Sequence, residues 1–493
     1  MLTKQVLISL FIGVALGATM VANWNPWVGV FDSFRTFMVP AMADAFNAGV
    51  FLLMGILGGF AGVIERNGGA TAFGAAMARR ITSARSAQIW TWVGGLGIWF
   101  SAMANAVVLG PIFRPITDRV RISREKLAWI LDCTAVPVPI LIPITGWGAY
   151  IIGLLAPQFD QLNILETELA AFVKAIPFQL YPIAALILVP FVAITALEFG
   201  AMKVAERRAR EEGKLMRDGA KPLGTQVEVA IPAGAKPSVW DMGLPMVILV
   251  ACVLGMFAWT GGFPGDRGLL EALGRASAMP SLTMAFFIGT IVAMAMGVRS
   301  KVLTWQTSMD AWMEGVKGQL EAIVILVLAF AIARVSTQVG TASYLVGIVE
   351  GVLSPELAPL AIFLVTAFVS FATGTSWGTY AIFIPVAIPL AAALDISLYV
   401  ALGAVLSGGL WGDHVSPISD TCILASIGAT CDHMDHVKTQ LVYALVVGFA
   451  VAVGFLVAGF GASGALAIAI TLAVMFAAHF VMCKVTDRRD AQA

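Results

Sequence analysis

Charge is what this chain has least of. Asp, Glu, Lys and Arg make up 12% of its 493 residues, where soluble domains carry about 25%. Hydrophobic residues reach 59%, and apolar runs of about twenty residues, the length that spans a bilayer as a helix, recur from end to end. A water-soluble globular class is therefore excluded. Acidic and basic residues cancel to a formal net charge of +0, so nothing in the overall charge asks for nucleic acid. Cysteine is scarce as well. The five present (Cys133, Cys252, Cys422, Cys431, Cys483) are odd in number and form no CxxC pair, which argues against a disulfide framework or a structural zinc. No Walker A sequence occurs, which counts against ATP-driven work, and no HExxH, which counts against a metal-dependent hydrolase. No catalytic, cofactor-binding or metal-ligating set is read from the chain, and it is not expected to be an enzyme.

What remains is an all-α polytopic membrane protein, and its few charges carry its orientation. Basic residues accumulate in cytoplasmic loops. Arg66, Arg79, Arg80 and Arg85 mark one such loop, and Arg114, Arg119, Arg121, Arg124 and Lys126 a second. One crossing between them would put the two on opposite faces. Gln88 to Phe113 therefore reads as a re-entrant hairpin with its tip at Ser101 to Asn105, backbone that is tolerated at depth only inside protein or against a wet cavity. Gln158 to Glu168 and Gly261 to Met279 read as outer loops. Lys203 to Lys236, Arg299 to Lys317 and the tail Lys484 to Arg489 read as inner ones. A helix is predicted over Leu320 to Val339. Ala358 to Leu390, interrupted at Ala372 to Ser376, reads as a second hairpin. The first apolar stretch reads as a membrane helix rather than a signal peptide, and Cys431 to His436 as a solvated inner helix end. The expectation is about ten crossings plus two hairpins, in a cytoplasmic (inner) membrane with both termini cytoplasmic.

The chain also repeats itself. A shift of 274 positions lays Pro111 on Pro385, Pro115 on Pro389, Ser123 on Ser397, Pro143-Ile144 on Pro417-Ile418 and Thr145 on Ser419. A shift of 272 lays Gly68 on Gly340. An odd number of predicted crossings separates the two copies, so they would be inverted, the arrangement of many secondary transporters. Each copy holds a helix predicted to be broken: Leu127 to Leu155 by Pro137, Pro139, Pro143, Gly146 and Gly148, and Val400 to Ile427 by Gly408, Gly409, Gly412 and Pro417. The chain divides accordingly into a first helix and loop (1–44), a first repeat (45–198), a cytoplasmic linker (199–240), two connecting helices (241–318), a second repeat (319–461) and a C-terminal helix and tail (462–493).

The segment Gly412 to Asp420, GDHVSPISD, puts charge where lipid-soluble sequence surrounds it. No Lys or Arg occurs between Arg334 and Lys438. A charged side chain at the bilayer centre costs roughly 2.5–3.5 kcal/mol on insertion scales and persists mainly where it binds an ion or relays a proton. Asp413 and Asp420 flank the second break, with Ser419 beside them to supply oxygen to a hard cation; capping of half-helices is the other role these residue types serve. His414 suits either proton transfer or the fixing of an aspartate. Asp132 and Thr134 lie on the first broken helix. Asn105, Thr373, Thr375 and Ser376 lie at the hairpin tips, where turn chemistry also uses such residues. Arg334, deep in its helix, either meets a substrate carboxylate or snorkels outward.

At these residues a family resemblance emerges. GDHVSPISDTCILASIGATCDHMDHVKTQLVYAL, RPITDRVRISREKLAWILDCTAVPV and FATGTSWGTYAIFIPVAIPLA resemble the NhaC-type sodium/proton antiporter family, within a broader ion-transporter superfamily. The resemblance implies re-entrant hairpins and broken helices in inverted repeats, often in a homodimer. It implies a cation or proton site that includes Asp132, Asp413 and Asp420, with hairpin residues around Asn105 and Thr375. Paired aspartates expected before the hairpin Asn are Ser101-Ala102 here. An acidic residue expected before Gly340-Thr341-Ala342 is Gln338, one turn after Arg334. The expected function is sodium/proton antiport, with Na+ and H+ as the transported ions and no cofactor. The alternative is sodium- or proton-coupled symport of an amino acid or small organic acid, which Arg334 would suit.

Overall fold

The structure is a computed structural model and describes residues 6–78, 81–99, 102, 105, 109–222, 231–265, 272, 277–340, 344 and 353–490. It is all helical, with no strand among the described residues beyond one isolated bridge between Pro222 and Asp432. The helices that build the interior are α1 (Ala45–Arg66), α2 (Ala84–Gly97), α3 (Gly110–Arg119), α4 (Arg124–Ala135), α5 (Gly146–Leu162), α6 (Leu180–Thr195), α7 (Leu320–Val339), α8 (Ala358–Thr373), α9 (Ser376–Ala393), α10 (Leu398–Val415), α11 (Asp420–Ala429) and α12 (His433–Gly459). Among the described residues six helices are long and apolar enough to cross a bilayer. A seventh is added if Glu168–Phe178 and Leu180–Thr195, bent by 49°, form one span. Large apolar side chains such as Val247, Leu254, Phe287 and Phe368 stand exposed on the outer faces, as expected where the solvent is lipid.

Helix starts recur at one offset. Ala84 and Ala358, Arg124 and Leu398, and Gly146 and Asp420 begin helices 274 positions apart. Local chemistry agrees with the register. Ser123 and Ser397 are the N-cap residues of α4 and α10, and Thr145 and Ser419 those of α5 and α11. Thr145 accepts from the Gly148 amide at 3.2 Å and Ser419 from the Cys422 amide at 3.5 Å, satisfying donors that a helix start leaves open. Gly68 and Gly340 follow the ends of α1 and α7 with φ of +80° and +70°, a conformation glycine adopts without strain. The helix predicted over Leu320 to Val339 has those bounds.

Both predicted breaks occur, but one lies elsewhere in its helix. Gly408, Gly409 and Gly412 do not interrupt α10, which runs unbroken to Val415. They let α10 lie tight against its neighbours. A Cβ at Gly408 would sit 2.5 Å from the Phe363 carbonyl, and one at Gly412 would overlap the Ala367 carbonyl, both on α8. The interruption is confined to Ser416–Ser419. In the first copy it falls at Val136 and again over 141–145, with Pro137–Ile140 as a short turn of helix between. The second hairpin turns at Gly374, φ +69°, between α8 and α9. Most of the first tip, Ser101 to Ala104, lies outside the described residues apart from Ala102.

The charged linker is bound back onto the helix ends rather than solvated along its length. Glu206 Oε1 accepts from the Ser123 amide at 2.9 Å, and Arg208 Nη2 reaches both Glu125 oxygens at 2.9 Å. Arg217 pairs with Asp435 at 2.6 Å and Asp432 at 3.3 Å, and the Lys221 amide donates to Asp432 at 2.8 Å. Burial raises the Asp432 carboxyl, but the amides of Lys221, Asp435 and Met434, with Arg217, hold it below its ordinary value. One ion pair is fully enclosed. Lys126 Nζ lies 2.6 Å from Glu198 Oε1, with side-chain exposures of 0% and 5%. Tyr443 donates to the other Glu198 oxygen, and the ammonium sits 4.9 Å above the Trp129 ring. Removing one partner of such a pair leaves a buried charge uncompensated. Glu198→Ala is expected to destabilise by about 3–5 kcal/mol, whereas Lys126→Met with Glu198→Leu is expected to cost far less. Thermal unfolding of the detergent-solubilised chain, followed by size exclusion, checks the contrast.

Candidate functional site

The Ser416–Ser419 break frees two carbonyls. In an uninterrupted helix the Asp413 carbonyl would bond the amide of residue 417, but that residue is Pro417 and has no N–H. The His414 carbonyl would bond the Ile418 amide, which instead lies 3.4 Å from Ser416 Oγ. The Asp413 carbonyl instead accepts from the Ser416 amide at 3.0 Å, and the His414 carbonyl takes side-chain donors. Cys422 Sγ is 3.4 Å from the His414 carbonyl and 3.8 Å from that of Asp413, and Gln440 Nε2 also donates to the His414 carbonyl. Ser416 Oγ donates to the Phe371 carbonyl at 2.8 Å, fastening the break to the end of α8.

Asp132, on α4, points into the same place and has no exposure. Its Oδ2 accepts from Gln440 Nε2 at 2.6 Å and from the Cys422 thiol at 3.0 Å. His414 Nε2 lies 3.6 Å and His436 Nε2 3.9 Å from the same oxygen. Asp132 Oδ1 and His414 Nε2 have no hydrogen-bond partner among the described residues. The other ring nitrogen of His414 is 2.7 Å from the Tyr181 hydroxyl on α6. No Lys or Arg touches this carboxylate among the described residues, so only neutral donors and two imidazoles surround it.

Asp413 makes the second half of the site. Its Oδ2 accepts from Ser376 Oγ at 2.5 Å and from the Ser376 amide at 3.2 Å, at the N-terminus of α9 where the helix dipole favours negative charge. Trp377 holds this tip in place. Its ring stacks on Trp147 of α5 at 4.1 Å, and its carbonyl accepts from the Tyr150 hydroxyl at 2.5 Å. Cys422, between the two aspartates, touches the side chain of one and the backbone of the other.

The residues singled out from sequence are thus partly gathered. Asp132, Asp413, His414 and Ser376 converge, and Ser419 caps α11 and lies 3.0 Å from Thr421 Oγ1. Thr134 donates to Asn105 Oδ1 at 3.2 Å, and Asn105 Nδ2 to the Gly95 carbonyl at 3.1 Å, so this pair ties the first hairpin to α4 without reaching Asp132. Thr373 bonds back to the Val369 carbonyl, and the Thr375 side chain makes no cap bond to α9; neither is brought to Asp413. Asp420 begins α11, and its side chain lies outside what is described. Arg334 is exposed on α7 and joins none of them. Tyr181, Cys422, Ser426, His436 and Gln440 were missed. The solvated helix end expected at Cys431 to His436 is corrected here, because His436 is fully buried against the site and His433 is half-buried. The signal was present: His433, His436, Gln440 and Tyr443 lie three, four and three residues apart, one face of one helix. A groove of 740 Å³ walled by Leu52, Ile56, Ile152, Glu168, Met284 and Phe287 shares no residue with this cluster.

Comparison with known proteins places these features in context. The model of the Na+/H+ antiporter family matches residues 138–460. An uncharacterized protein of Haemophilus influenzae is 31% identical over 494 residues, covering 98% of this chain and 92% of that one. The malate-2H(+)/Na(+)-lactate antiporter of Bacillus subtilis is 30% identical over 220 residues, 45% of each chain. In fold, the YdaH transporter of Alcanivorax borkumensis superposes with a TM-score of 0.57 at 17% identity, over 88% of this chain and 90% of that one.

Gln440 meets Asp132, the His414 carbonyl, Cys422 and His436 at once. Gln440→Leu leaves two buried acceptors, Asp132 Oδ2 and the His414 carbonyl, without their amide donor. The expected cost is about 1–3 kcal/mol, read as a lower unfolding temperature that Gln440→Glu at low pH partly restores.

Proposed function

The chain belongs to the Na+/H+ antiporter family, and from that premise we propose that it exchanges Na+ for H+ across the cytoplasmic membrane. It is a multi-pass membrane protein and a secondary transporter. The observation that carries the finer reading is Asp132: a fully buried carboxylate, bonded by a thiol and an amide, with Oδ1 unpartnered and no Lys or Arg on it among the described residues. An ionised carboxylate in such a place is costly. Its charge is cancelled most simply by a proton. Asp413, whose Oδ2 takes the Ser376 hydroxyl and amide at the start of α9, offers an oxygen-lined setting that suits Na+. A cation at one aspartate disfavours a proton at the other across the low-dielectric gap bridged by Cys422, and that competition couples the two flows. The matching helix starts and caps of the two copies support an inverted pair of broken helices, moving against their surroundings to expose the site to each side in turn. The basic loops and tail put both termini in the cytoplasm on this reading.

A second reading, a carrier of a small organic acid driven by the same ions, is favoured by the likeness to the malate/lactate exchanger. The exposed Arg334 gives it no support from within the site.

Proteoliposomes with an internal pH dye separate these. Asp413→Asn and Asp132→Asn are each expected to lower sodium-dependent proton flux by about a hundredfold, the scale of losing one charge-stabilising group. Full flux in Asp413→Asn would sink the exchange reading. Arg334→Ala is expected to leave that flux unchanged; loss of labelled malate or lactate uptake in Arg334→Ala, with sodium–proton flux absent in the parent, would favour the second.

A further inference from the structure

His433 and His436 turn toward one hydroxyl. Ser426 Oγ, on α11, lies 3.0 Å from His433 Nδ1 and 2.9 Å from His436 Nδ1, and 2.8 Å from the Cys422 carbonyl. The far nitrogen of each ring is already committed. His433 Nε2 is 2.8 Å from the Pro417 carbonyl, and His436 Nε2 is 3.0 Å from Gln440 Oε1. The Gln440 amide cannot be turned the other way, because its Nε2 faces two acceptors, Asp132 Oδ2 and the His414 carbonyl. Both Nε2 atoms must therefore carry hydrogen, and in neutral rings both Nδ1 atoms are bare acceptors. Ser426 has one hydrogen and three acceptors around it.

One added proton repairs the shortage between the rings. A doubly protonated His433 donates from Nδ1 to Ser426 Oγ, and the Ser426 hydrogen then donates to His436 Nδ1. Moving both hydrogens one bond along gives the mirror arrangement, with His436 doubly protonated and His433 neutral. No heavy atom has to move.

We propose that His433, Ser426 and His436 form a relay that holds one excess proton and passes it between water at half-buried His433 and the carboxylate of Asp132. The inference rests on the exchange reading for the role of Asp132. In the first step the His433 Nδ1–H bond breaks as a new Ser426 O–H forms, and the old Ser426 O–H breaks as His436 Nδ1–H forms. In the second, His436 Nε2–H breaks and an Asp132 O–H forms across the 3.9 Å gap, with the Gln440 amide bonded to both groups and keeping them in line. Charge moves from the imidazolium to cancel the carboxylate. The groups facing the relay are few. Asp132 from α4 is the proton acceptor, His414 from α10 meets Tyr181 of α6 with one ring nitrogen and lies 3.6 Å from Asp132 with the other, and Cys422 of α11 is a thiol. Asp432 and Asp435, at the start of α12, are held by Arg217. Water reaches the relay only at His433, since His436, Ser426 and Asp132 are fully enclosed.

Histidine-15N NMR of the purified full-length chain reads the sharing without any transport. The chain has four histidines, and His414→Gln and His479→Gln identify the other two. The His433 and His436 Nδ1 signals are expected to shift together over a single step that takes up one proton, and to shift separately in Ser426→Ala. Independent titration in the parent overturns the relay. In proteoliposomes Ser426→Ala is expected to slow proton flux by about a hundredfold, the scale of a lost acid–base partner, with equilibrium Na+ affinity unchanged. Ser426→Thr, which keeps the hydroxyl, restores the rate. Parental flux in Ser426→Ala also overturns the relay. Shared titration in a parent that shows no sodium-driven flux would leave the relay standing and remove the exchange reading instead.

Discussion

A carboxylate enclosed without a basic partner is the constraint from which the interior follows. Asp132 needs donors, and an intact helix offers none, because its amides and carbonyls satisfy one another. The surroundings must therefore supply side-chain donors and hold them in place. Pro417 and Ser416 do this by withholding two amides from α10, which leaves the His414 carbonyl to fix Cys422 and Gln440. Gln440, with two amide hydrogens, donates to both the His414 carbonyl and Asp132, and the single Cys422 hydrogen goes to Asp132 from a sulfur seated beside that carbonyl. The break is thus more than a loss of helix. It converts a backbone acceptor into a mould that aims two neutral donors at a charge.

The residues that carry full positive charge are kept away from this mould and spent at the ends of the same helices. Lys126 is the nearest in sequence to Asp132, yet it is turned to Glu198 and roofed by Trp129 and Tyr443. Arg217 and Arg208 bind the starts of α12 and α4 through the linker. Had any of these reached Asp132, a permanent ion pair would have neutralised it, and no exchangeable cation would be needed. Segregation of charge is what leaves the carboxylate available to a proton.

This division explains what could be read in the sequence. Helix starts, caps and turns are local, so Ser123, Thr145, Ser419, Gly68 and Gly340 announced themselves through residue type and spacing, and the Leu320–Val339 helix through its apolar run. Buried charge was also legible, since Asp132, Asp413 and His414 stand out against lipid-soluble neighbours. The partners were not. Gln440 meets Asp132 across 308 positions and Tyr181 meets His414 across 233, and neither looks unusual where it stands. His433 and His436 misled because Asp432 and Asp435 beside them look solvated; Arg217 supplies in space what water was assumed to supply. The glycines of α10 misled differently. Glycine in a helix marks either a break or a close neighbour, and only the position of α8 distinguishes the two.

The segments 274 positions apart share helix starts and caps without sharing chemistry. At the 274-position offset the caps match, Ser123 with Ser397 and Thr145 with Ser419. The functional side chains do not. Asp132 stands opposite Leu406, Asp413 opposite Pro139, His414 opposite Ile140, Cys422 opposite Gly148 and Ser376 opposite Ala102. A scaffold with matched chemistry would hold two equivalent sites. Here each segment supplies one carboxylate of different surroundings: one among imidazoles, a thiol and an amide, the other against a hydroxyl and a helix N-terminus. On the exchange reading, two unlike carboxylates joined through Cys422 favour unlike occupants.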